Sequence, residues 1–186
     1  VGILHDEPVL SNCSSSALIS GAFVYKFGSN GTGNGQFEGP SQLAFSPDGH
    51  LFVLESKNHR IQVFRADGTF VRKFGSEEFG DKKFNDISGL AFSPDGLLFV
   101  SDSTNSHIQV FRADGTFVFR FGVKGERDGE LYSPCGLAFS PDGHLFISDT
   151  FTNRIQVFRA DGTFARPFYS RAPDAPPSVP TRLALR

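Results

Sequence analysis

The chain has 186 residues, a formal net charge of −2 and a hydrophobic fraction of 39%, which suits one domain with a sizeable core. This charge balance argues against a strongly basic surface for nucleic acid or anionic membranes. No apolar run approaches the roughly 18 residues of a membrane-spanning helix. Two cysteines, Cys13 and Cys135, lie far apart without metal-ligand spacing, so free thiols are expected.

The first 20 residues fit no strand pattern. They contain no basic stretch followed by an apolar one, so no secretion signal is visible. The chain has no Met and starts with Val1, and we interpret it as an internal piece of a longer protein. Residues 1–20 are expected to form an irregular segment or a damaged structural unit.

Residues 41–75 contain four short runs rich in Phe, Val, Ile and Leu, each followed by a turn signal. The runs are "QLAF", "HLFVLE", "RIQVFR" and "TFVRKF", and the intervening turns are "SPDG", "SKNH" and "ADG". Pro followed by Asp and Gly favours a tight turn, and Asp-Gly between β-prone runs is a strong hairpin signal. The pattern predicts four strands in an antiparallel meander, and no helix is predicted.

The same unit recurs with a period of 47 residues. Residues 88–122 match residues 41–75 at 26 of 35 positions, and residues 135–169 match them at 23 of 35. Fifteen of the 22 Phe residues fall at five repeated places, on both faces of the predicted sheets. A small sheet that is apolar on both faces needs a neighbour on each side. Stacked identical sheets supply one, so the sequence predicts an all-β fold, a β-propeller of four-stranded blades.

Other repeat folds fit less well. A β-helix has shorter coils, a leucine-rich repeat has a shorter period without these hairpins, and a β-sandwich needs no fixed period. The predicted organisation is an N-terminal segment, an outer strand of a preceding blade, three full blades, and a Pro-rich connector with the first strand of a following blade. The corresponding boundaries are 1–20, 21–28, 29–75, 76–122, 123–169 and 170–186.

The segment "PSQLAFSPDGHLFVLESKNHRIQVFRADGTFVRKFGS" resembles an NHL repeat, with Asn58-His59 at the family's Asn-His pair. The resemblance covers residues 21–185. It implies an incomplete ring, because such propellers usually have six blades. "GAFVYKFGS" near the start is similar to the outer strand "GTFVRKFGS", and "PTRLAL" near the end is similar to the inner strand "PSQLAF". Because an incomplete ring leaves its terminal faces open, the isolated chain is expected either to be poorly stable or to pair with a second copy, so that two three-bladed arcs complete a six-bladed ring.

The resemblance implies a binding platform more than an enzyme. Some NHL propellers stand at the end of tripartite-motif or other RING-type ubiquitin ligases and recognise a protein or an RNA, and a few relatives are secreted metal-dependent lyases. The chain has no RING-like Cys/His cluster, so any ligase catalysis would lie outside it. A protein partner, no cofactor and a cytoplasmic location are therefore the expectations, with single-stranded RNA binding and lyase activity as alternatives.

The two rims of the propeller differ in sequence. "SPDG" and "ADG" are identical in all copies, and we call their side the invariant rim. The turns at 56–59, 103–106 and 150–153 and the connectors at 29–39, 76–86 and 123–133 differ between copies, and we call their side the variable rim. Function concentrates on loops that a rigid scaffold holds. The predicted binding residues on the variable rim are Lys57, His59, Arg60, Lys82, Lys83, Thr104, His107, Lys124, Arg127, Phe151 and Arg154.

Catalytic and metal sites are not predicted. Glu55, Asp102 and Asp149 occupy one position in each blade, where such an acid usually caps a turn through backbone N–H groups. The histidines do not converge as the three or four ligands that zinc requires. For RNA, Phe79, Tyr132 and Phe151 are candidate stacking residues. The basic residues of the variable rim are interleaved with acids, however, and this favours a protein partner.

Overall fold

The computed structural model describes residues 23–75 and 84–168. Fourteen strands are present in this part of the chain. They are β1 Ser29–Asn30, β2 Gln36–Phe37, β3 Pro40–Phe45, β4 Leu51–Glu55, β5 Arg60–Phe64, β6 Phe70–Phe74, β7 Ile87–Phe92, β8 Leu98–Asp102, β9 His107–Phe111, β10 Phe117–Phe121, β11 Pro134–Phe139, β12 His144–Asp149, β13 Arg154–Arg159 and β14 Phe164–Phe168.

Strands β3–β6, β7–β10 and β11–β14 form three four-stranded sheets, each with its strands in chain order. All pairings within these sheets are antiparallel. The predicted meander and fold class are thereby confirmed, and we call the sheets blade 1, blade 2 and blade 3. The described residues form a partial ring of blades.

The invariant rim is built by its turn residues. In "SPDG", the Ser46 N–H donates to the His50 carbonyl at 2.8 Å and the Gly49 N–H donates to the Ser46 carbonyl at 2.9 Å. Gly49 has a φ of 82°, which a glycine adopts without steric cost. In "ADG", the Asp67 carboxylate accepts the Thr69 N–H at 2.8 Å. These turns are identical in sequence because each folds in the same way.

The hydrophobic core lies between the blades. One face of blade 1 carries Phe52, Leu54, Ile61 and Val63, and these side chains pack against a cluster from blade 2. The opposite face of blade 2 packs against blade 3 in the same manner. Ile61 and Ile108, at one repeated position, are both 0% exposed. Apolar residues on both faces of a sheet are thus explained by a neighbour on each side.

A ring cluster recurs at every blade and is centred on the third strand, at Phe64, Phe111 and Phe158. Each of these rings contacts the fourth strand of its own blade and the connector that precedes the blade. It also contacts the segment at the fourth-strand position of the preceding blade. The centroid distances from Phe64 to Phe27, Phe37 and Phe70 are 5.2, 5.4 and 5.9 Å, and those from Phe111 to Phe74, Phe84 and Phe117 are 5.5, 5.5 and 5.7 Å. Phe158 lies 5.4 Å from Phe121 and shares a core cluster with Leu131. The cluster joins each blade to its predecessor.

The connectors are more ordered than their sequences indicate. β1 and β2 pair in parallel within the first connector, and Lys124 and Leu131 form the equivalent parallel bridge in the third. The side chains at one connector position, Phe37, Phe84 and Leu131, enter the ring clusters. Sequence variation in a connector is therefore confined to the positions around this anchor.

The segment predicted as the outer strand of a preceding blade is described only over residues 23–28, where no strand is assigned. Phe27 nevertheless contacts Phe64 as Phe74 contacts Phe111. Residues 1–22, 76–83 and 169–186 lie outside the described residues. The predictions for the N-terminal segment, for the Pro-rich connector and for the following strand therefore stay predictions.

We expect Phe111→Ala to lower the free energy of unfolding by about 3–5 kcal/mol, because it removes the centre of a ring cluster and leaves a cavity. Urea unfolding followed by circular dichroism measures this change. Val118→Ala is the control, because Val118 is 40% exposed in the same blade, and we expect a change within about 0.5 kcal/mol there. Equal losses in the two variants would contradict the central role of the ring cluster.

Candidate binding site

The variable rim presents three turns of the same conformation. Each runs from the second to the third strand of its blade, and its last residue, His59, Ser106 or Asn153, has a φ between 47° and 56°. This left-handed conformation is uncommon outside glycine and is best tolerated by Asn. The second residues of the turns, Lys57, Thr104 and Phe151, are all exposed. One rigid turn thus displays a cation, a hydroxyl and an aromatic ring in the three blades.

A buried carboxylate supports the turn of blade 1. Glu55 is 0% exposed. It accepts hydrogen bonds from Arg60 Nε at 2.7 Å, from Asn58 Nδ2 at 2.7 Å and from Gln62 Nε2 at 2.8 Å. It also accepts the backbone N–H of Glu38, in the connector, at 2.9 Å. Glu55 therefore ties together the turn, the third strand and the connector.

The corresponding acids act similarly in the other blades. Asp102 accepts the backbone N–H groups of Asn85 at 2.9 Å and of Asn105 at 3.1 Å. Asp149 accepts those of Tyr132 at 3.2 Å and of Ser133 at 3.0 Å. The prediction that these acids cap turns through backbone N–H groups is confirmed for Asp102, which accepts the Asn105 N–H of its turn. Glu55 and Asp149 instead accept backbone N–H groups of the connectors.

Hydrogen bonding lowers the pKa of Glu55. Burial by itself would raise it, since the charged form loses water. The hydrogen bonds from Arg60, the Glu38 N–H, Asn58 and Gln62 outweigh burial and hold the pKa below its ordinary value of 4.5. Glu55 is consequently ionised at neutral pH and forms a buried ion pair with Arg60.

Arg60 lies beneath the rim surface. Sequence analysis predicted that Arg60 binds a partner, but its side chain is buried, at 2% exposure. Besides pairing with Glu55, its guanidinium donates to the carbonyls of Thr32, Gly33 at 3.1 Å and Gln36 at 2.9 Å. The reason is that the connector folds over the side chain and offers three carbonyl groups. A partner cannot reach this charge, so Arg60 is omitted from the binding surface considered below.

The other predicted residues differ in exposure. Arg154 occupies the same repeated position as Arg60. Its side chain is 16% exposed and lies 3.6 Å from Asp128 and 3.9 Å from Asp149. His107 is half-buried, and besides the second residues of the turns three predicted side chains are exposed: His59, Lys124 and Arg127. Lys82 and Lys83 lie outside the described residues. His59 belongs to the turn of blade 1, and Lys124 and Arg127 belong to the connector before blade 3.

Blade 3 carries an aromatic stack on the variable rim. The rings of Tyr132 and Phe151 lie 3.7 Å apart between centroids with an interplanar angle of 13°. Lys124 Nζ lies 4.7 Å from the centre of the Tyr132 ring, which is within the range of a cation–π contact. Phe151 is 56% exposed. The three side chains form a platform of an aromatic pair with a cation on one side.

A cavity of about 300 Å³ adjoins this platform, lined by Glu126, Phe151, Thr152 and Arg154. Sequence analysis named Phe151 and Arg154 as binding residues and Tyr132 as a candidate stacking residue for RNA, but it named neither Glu126 nor Thr152. Tyr132 follows the connector anchor, where blades 1 and 2 have Glu38 and Asn85. That aromatic exception within a repeat was the available signal.

The invariant rim contains a repeated polar chain with a structural role. Ser46 Oγ donates to Asp48, whose other oxygen lies 3.0 Å from His50 Nδ1. The hydrogen bond from Ser46 is the main cause that lowers the pKa of Asp48. Ser46 is 4% exposed, so its hydroxyl is not placed for attack on a substrate. Within residues 23–75 and 84–168, no three His, Cys, Asp or Glu side chains are grouped as metal ligands.

The same part of the chain contains no helix long and apolar enough to cross a membrane.

The comparisons with known proteins agree with the fold. The family model described as NHL repeat matches residues 37–64, 84–111 and 131–158. The chain therefore carries three NHL repeats, each covering the connector anchor and the first three strands of a blade. A comparison with curated proteins finds no match.

Several solved propeller structures are similar in shape. A virginiamycin B lyase from Staphylococcus aureus is 18% identical with a TM-score of 0.55, and the match covers 72% of this chain and 42% of the lyase. U3-55K is 17% identical with a TM-score of 0.54, covering 68% of this chain and 38% of that one. The WD40 repeats of RRP9 are 17% identical with a TM-score of 0.53, covering 68% and 37%. The chain spans about two fifths of these structures, and at this identity the likeness shows the fold alone.

We expect Glu55→Gln to lower the free energy of unfolding by about 3–5 kcal/mol at pH 7, because it leaves the buried Arg60 charge without its counter-ion. The folded-state pKa of Glu55 lies below 4.5, so its contribution is complete above that pH and is lost as the pH falls through the lowered value. The stability difference between wild type and variant should therefore shrink on acidification.

Urea unfolding between pH 7 and pH 3 measures this difference. Asp95→Asn is the control, because Asp95 is an exposed carboxylate of the invariant rim in blade 2. We expect its effect to stay within about 0.5 kcal/mol at pH 7. A Glu55→Gln difference that stays constant with pH would show that the carboxylate charge does not stabilise the turn.

Proposed function

We propose that this NHL-repeat β-propeller is a protein-interaction platform and that its partner binds the variable rim at blade 3. The observation that carries the proposal is the Tyr132–Phe151 stack beside a cavity, in which Phe151 is exposed and Tyr132 is half-buried. Aromatic side chains supply large rigid contact area and are enriched at the energetic centres of interfaces. Single exposed apolar residues are common on protein surfaces and need no explanation. A stacked aromatic pair with adjacent charges on a rigid turn is instead a contiguous surface of the kind that binds a partner.

The charges around the stack favour a partner with both signs. Lys124 and Arg127 stand beside Glu126 and Asp128, all of them exposed. A polymer of phosphates would be attracted by the two cations and repelled by the two acids. A protein surface can offer complementary groups to each, and such complementarity supports specificity.

Single-stranded RNA is the second candidate, and the same stack favours it. Nucleobases stack on aromatic side chains, and a nearby cation such as Lys124 can contact the backbone. Because RNA binding releases counter-ions, its affinity falls steeply with salt concentration. The salt dependence therefore separates the two candidates.

The platform is proposed to act without catalysis of its own. The buried acids are engaged in hydrogen bonds to the turns and connectors, and the fold is shared by structures as different as a lyase and WD40 repeats. If the parent protein is a ubiquitin ligase of the RING type, this chain would be its substrate-recognition part and catalysis would lie elsewhere. Its placement in the cytoplasm stays a prediction.

We expect Phe151→Ala to weaken partner capture about tenfold or more, because it removes the exposed half of the stack, and loss of a central interface aromatic costs about 2 kcal/mol. Lys124→Glu should weaken capture as well. Quantitative pull-down with wild-type and variant chains as baits measures the loss for each captured protein, and the affinity of a captured candidate is then measured with purified components.

Val118→Ala is the matched control, since it removes an exposed apolar side chain from the outer strand of blade 2. Capture should be unchanged with this bait. A partner retained equally by all three variants would contradict binding at blade 3. Binding of a fluorescent single-stranded RNA that weakens steeply between 50 and 200 mM salt, and is lost with Phe151→Ala, would favour RNA as the partner.

A further inference from the structure

Blade 1 has one face that its neighbours leave open. Leu43 and Phe45 of β3 are 63% and 61% exposed. At the same repeated position as Leu43, Leu90 of blade 2 is 5% exposed, because blade 1 covers it. Among the described residues, no blade covers the inner part of this face of blade 1.

Blade 3 has the complementary open face. Ile155 is 37% exposed, whereas Ile61 and Ile108 at the same repeated position are 0% exposed. A cavity of about 260 Å³ lies on this face, lined mainly by apolar groups of Leu137, Ala138, Phe146 and Ile155. The face is the counterpart of those that Phe92 and Phe139 pack against in blades 1 and 2.

The interface that joins these two faces is already present twice within the chain. Phe52 of blade 1 meets Phe92 of blade 2 at 4.9 Å and 79°, and Phe99 of blade 2 meets Phe139 of blade 3 at 4.9 Å and 72°. Advancing by the 47-residue period places Phe146 in the role of Phe99. In the other direction, Phe45 takes the role of Phe92. The two ends of the arc are therefore the two halves of one known contact.

We propose that two copies of this chain associate head to tail, with Phe45 of each copy inserted against Phe146 and Ile155 of the other. Three blades from each copy give a closed set of six. Two identical contacts related by a two-fold axis cover both open faces, so the assembly ends at a dimer. This inference is independent of the rim function proposed above.

Residues 23–28 determine how the two copies meet. The Phe27 ring packs on Gly68, where an added Cβ atom would lie 2.9 Å from it. Phe74 packs on Gly115 and Phe121 packs on Gly162 in the same way. Residues 23–28 thus occupy the place of a preceding blade's fourth strand. The first three strands of blade 3 of a second copy, β11–β13, can dock against residues 23–28. In that second copy, β14 must then be displaced by residues 23–28.

β14 is the outer strand of blade 3, and the strand with which it pairs in this sheet is β13 alone. It contains Pro167 paired with Gln156, where β6 has Lys73 and β10 has Arg120. Arg159 bonds through its N–H and C=O to Thr163 and Gly162, so by alternation Gln156 bonds toward β12 and the nitrogen of Pro167 faces the outer edge of the sheet, where proline is tolerated. In the exchanged blade, the register of Arg72 with Val63 would bring Tyr25 of one copy opposite Val157 of the other. Exchange of identical elements is a common route to dimers.

Sedimentation velocity of the full chain over a concentration series tests the proposal. The expected species has twice the monomer mass of 20.3 kDa. Phe45→Lys and Ile155→Glu should each raise the dimer dissociation constant about a hundredfold, since each buries a charge in both contacts. A mixture of the two variants should recover dimer, because the mixed dimer has one wild-type contact and one Lys–Glu contact. Val123→Lys is the control, since Val123 is 70% exposed and lies off both faces.

Strand exchange has its own readout. In a background with Cys13→Ser and Cys135→Ser, we expect Tyr25→Cys and Val157→Cys chains to form a disulfide-linked heterodimer on mixing. Circular dichroism establishes that every variant is folded, and Leu43→Lys replaces Phe45→Lys if the latter is not. A monomer at all concentrations, or a dimer that neither charged variant weakens, would overturn the proposal. A dimer without the Tyr25–Val157 link would overturn the exchange of β14.

Discussion

The whole structure depends on one constraint, which is that a four-stranded blade is apolar on both faces and cannot bury either of them alone. The repeated sequence follows from this constraint. The face that blade 1 packs against blade 2 must be reproduced on blade 2, where it packs against blade 3. Phe64, Phe111 and Phe158 meet this need at one position, where they contact their own blade, the connector and the segment one repeat earlier. Since each ring contacts three elements, replacing it would disturb all of them, and the position is Phe in every copy.

A second, polar requirement is met at the variable rim. The turns and connectors there would leave backbone groups buried without partners if the blades were joined by apolar contacts alone. Glu55, Asp102 and Asp149 accept these N–H groups, and Gln62 adds bonds to Gly35 and Gln36 of the connector at 2.9 and 2.7 Å. Because the buried groups fix the backbone, the exposed positions above them can vary. A rigid rim with variable side chains is a suitable place for recognition.

Much of the fold could be predicted from local sequence, and the site much less. Strand positions follow from alternation and turn residues, which act within a few residues of each other, so β4–β6 agree with the predicted runs to within a residue. The burial of Arg60 could not be predicted, because its carbonyl partners stand 24 to 28 residues away in a connector of variable sequence. Tyr132 was named as a candidate stacking residue, but its stacking on Phe151 could not be predicted, since it requires the connector and the turn to meet in space. A repeat pattern can mark such a position as an exception, but it does not show which distant residue the side chain contacts.

The unequal number of neighbours per blade has a consequence for local unfolding. In a row of repeats, stability is approximately a sum of terms for each unit and for each interface between adjacent units. Blade 2 has two such interfaces within the described chain, while blades 1 and 3 have one full interface each. In a single copy that is not paired with another, transient opening should therefore begin at an end blade, and the slowest amide exchange should be found in β8 and β9. A ligand held by the rim of blade 3 would suppress the opening of that blade, so that binding there also regulates how long the arc stays intact.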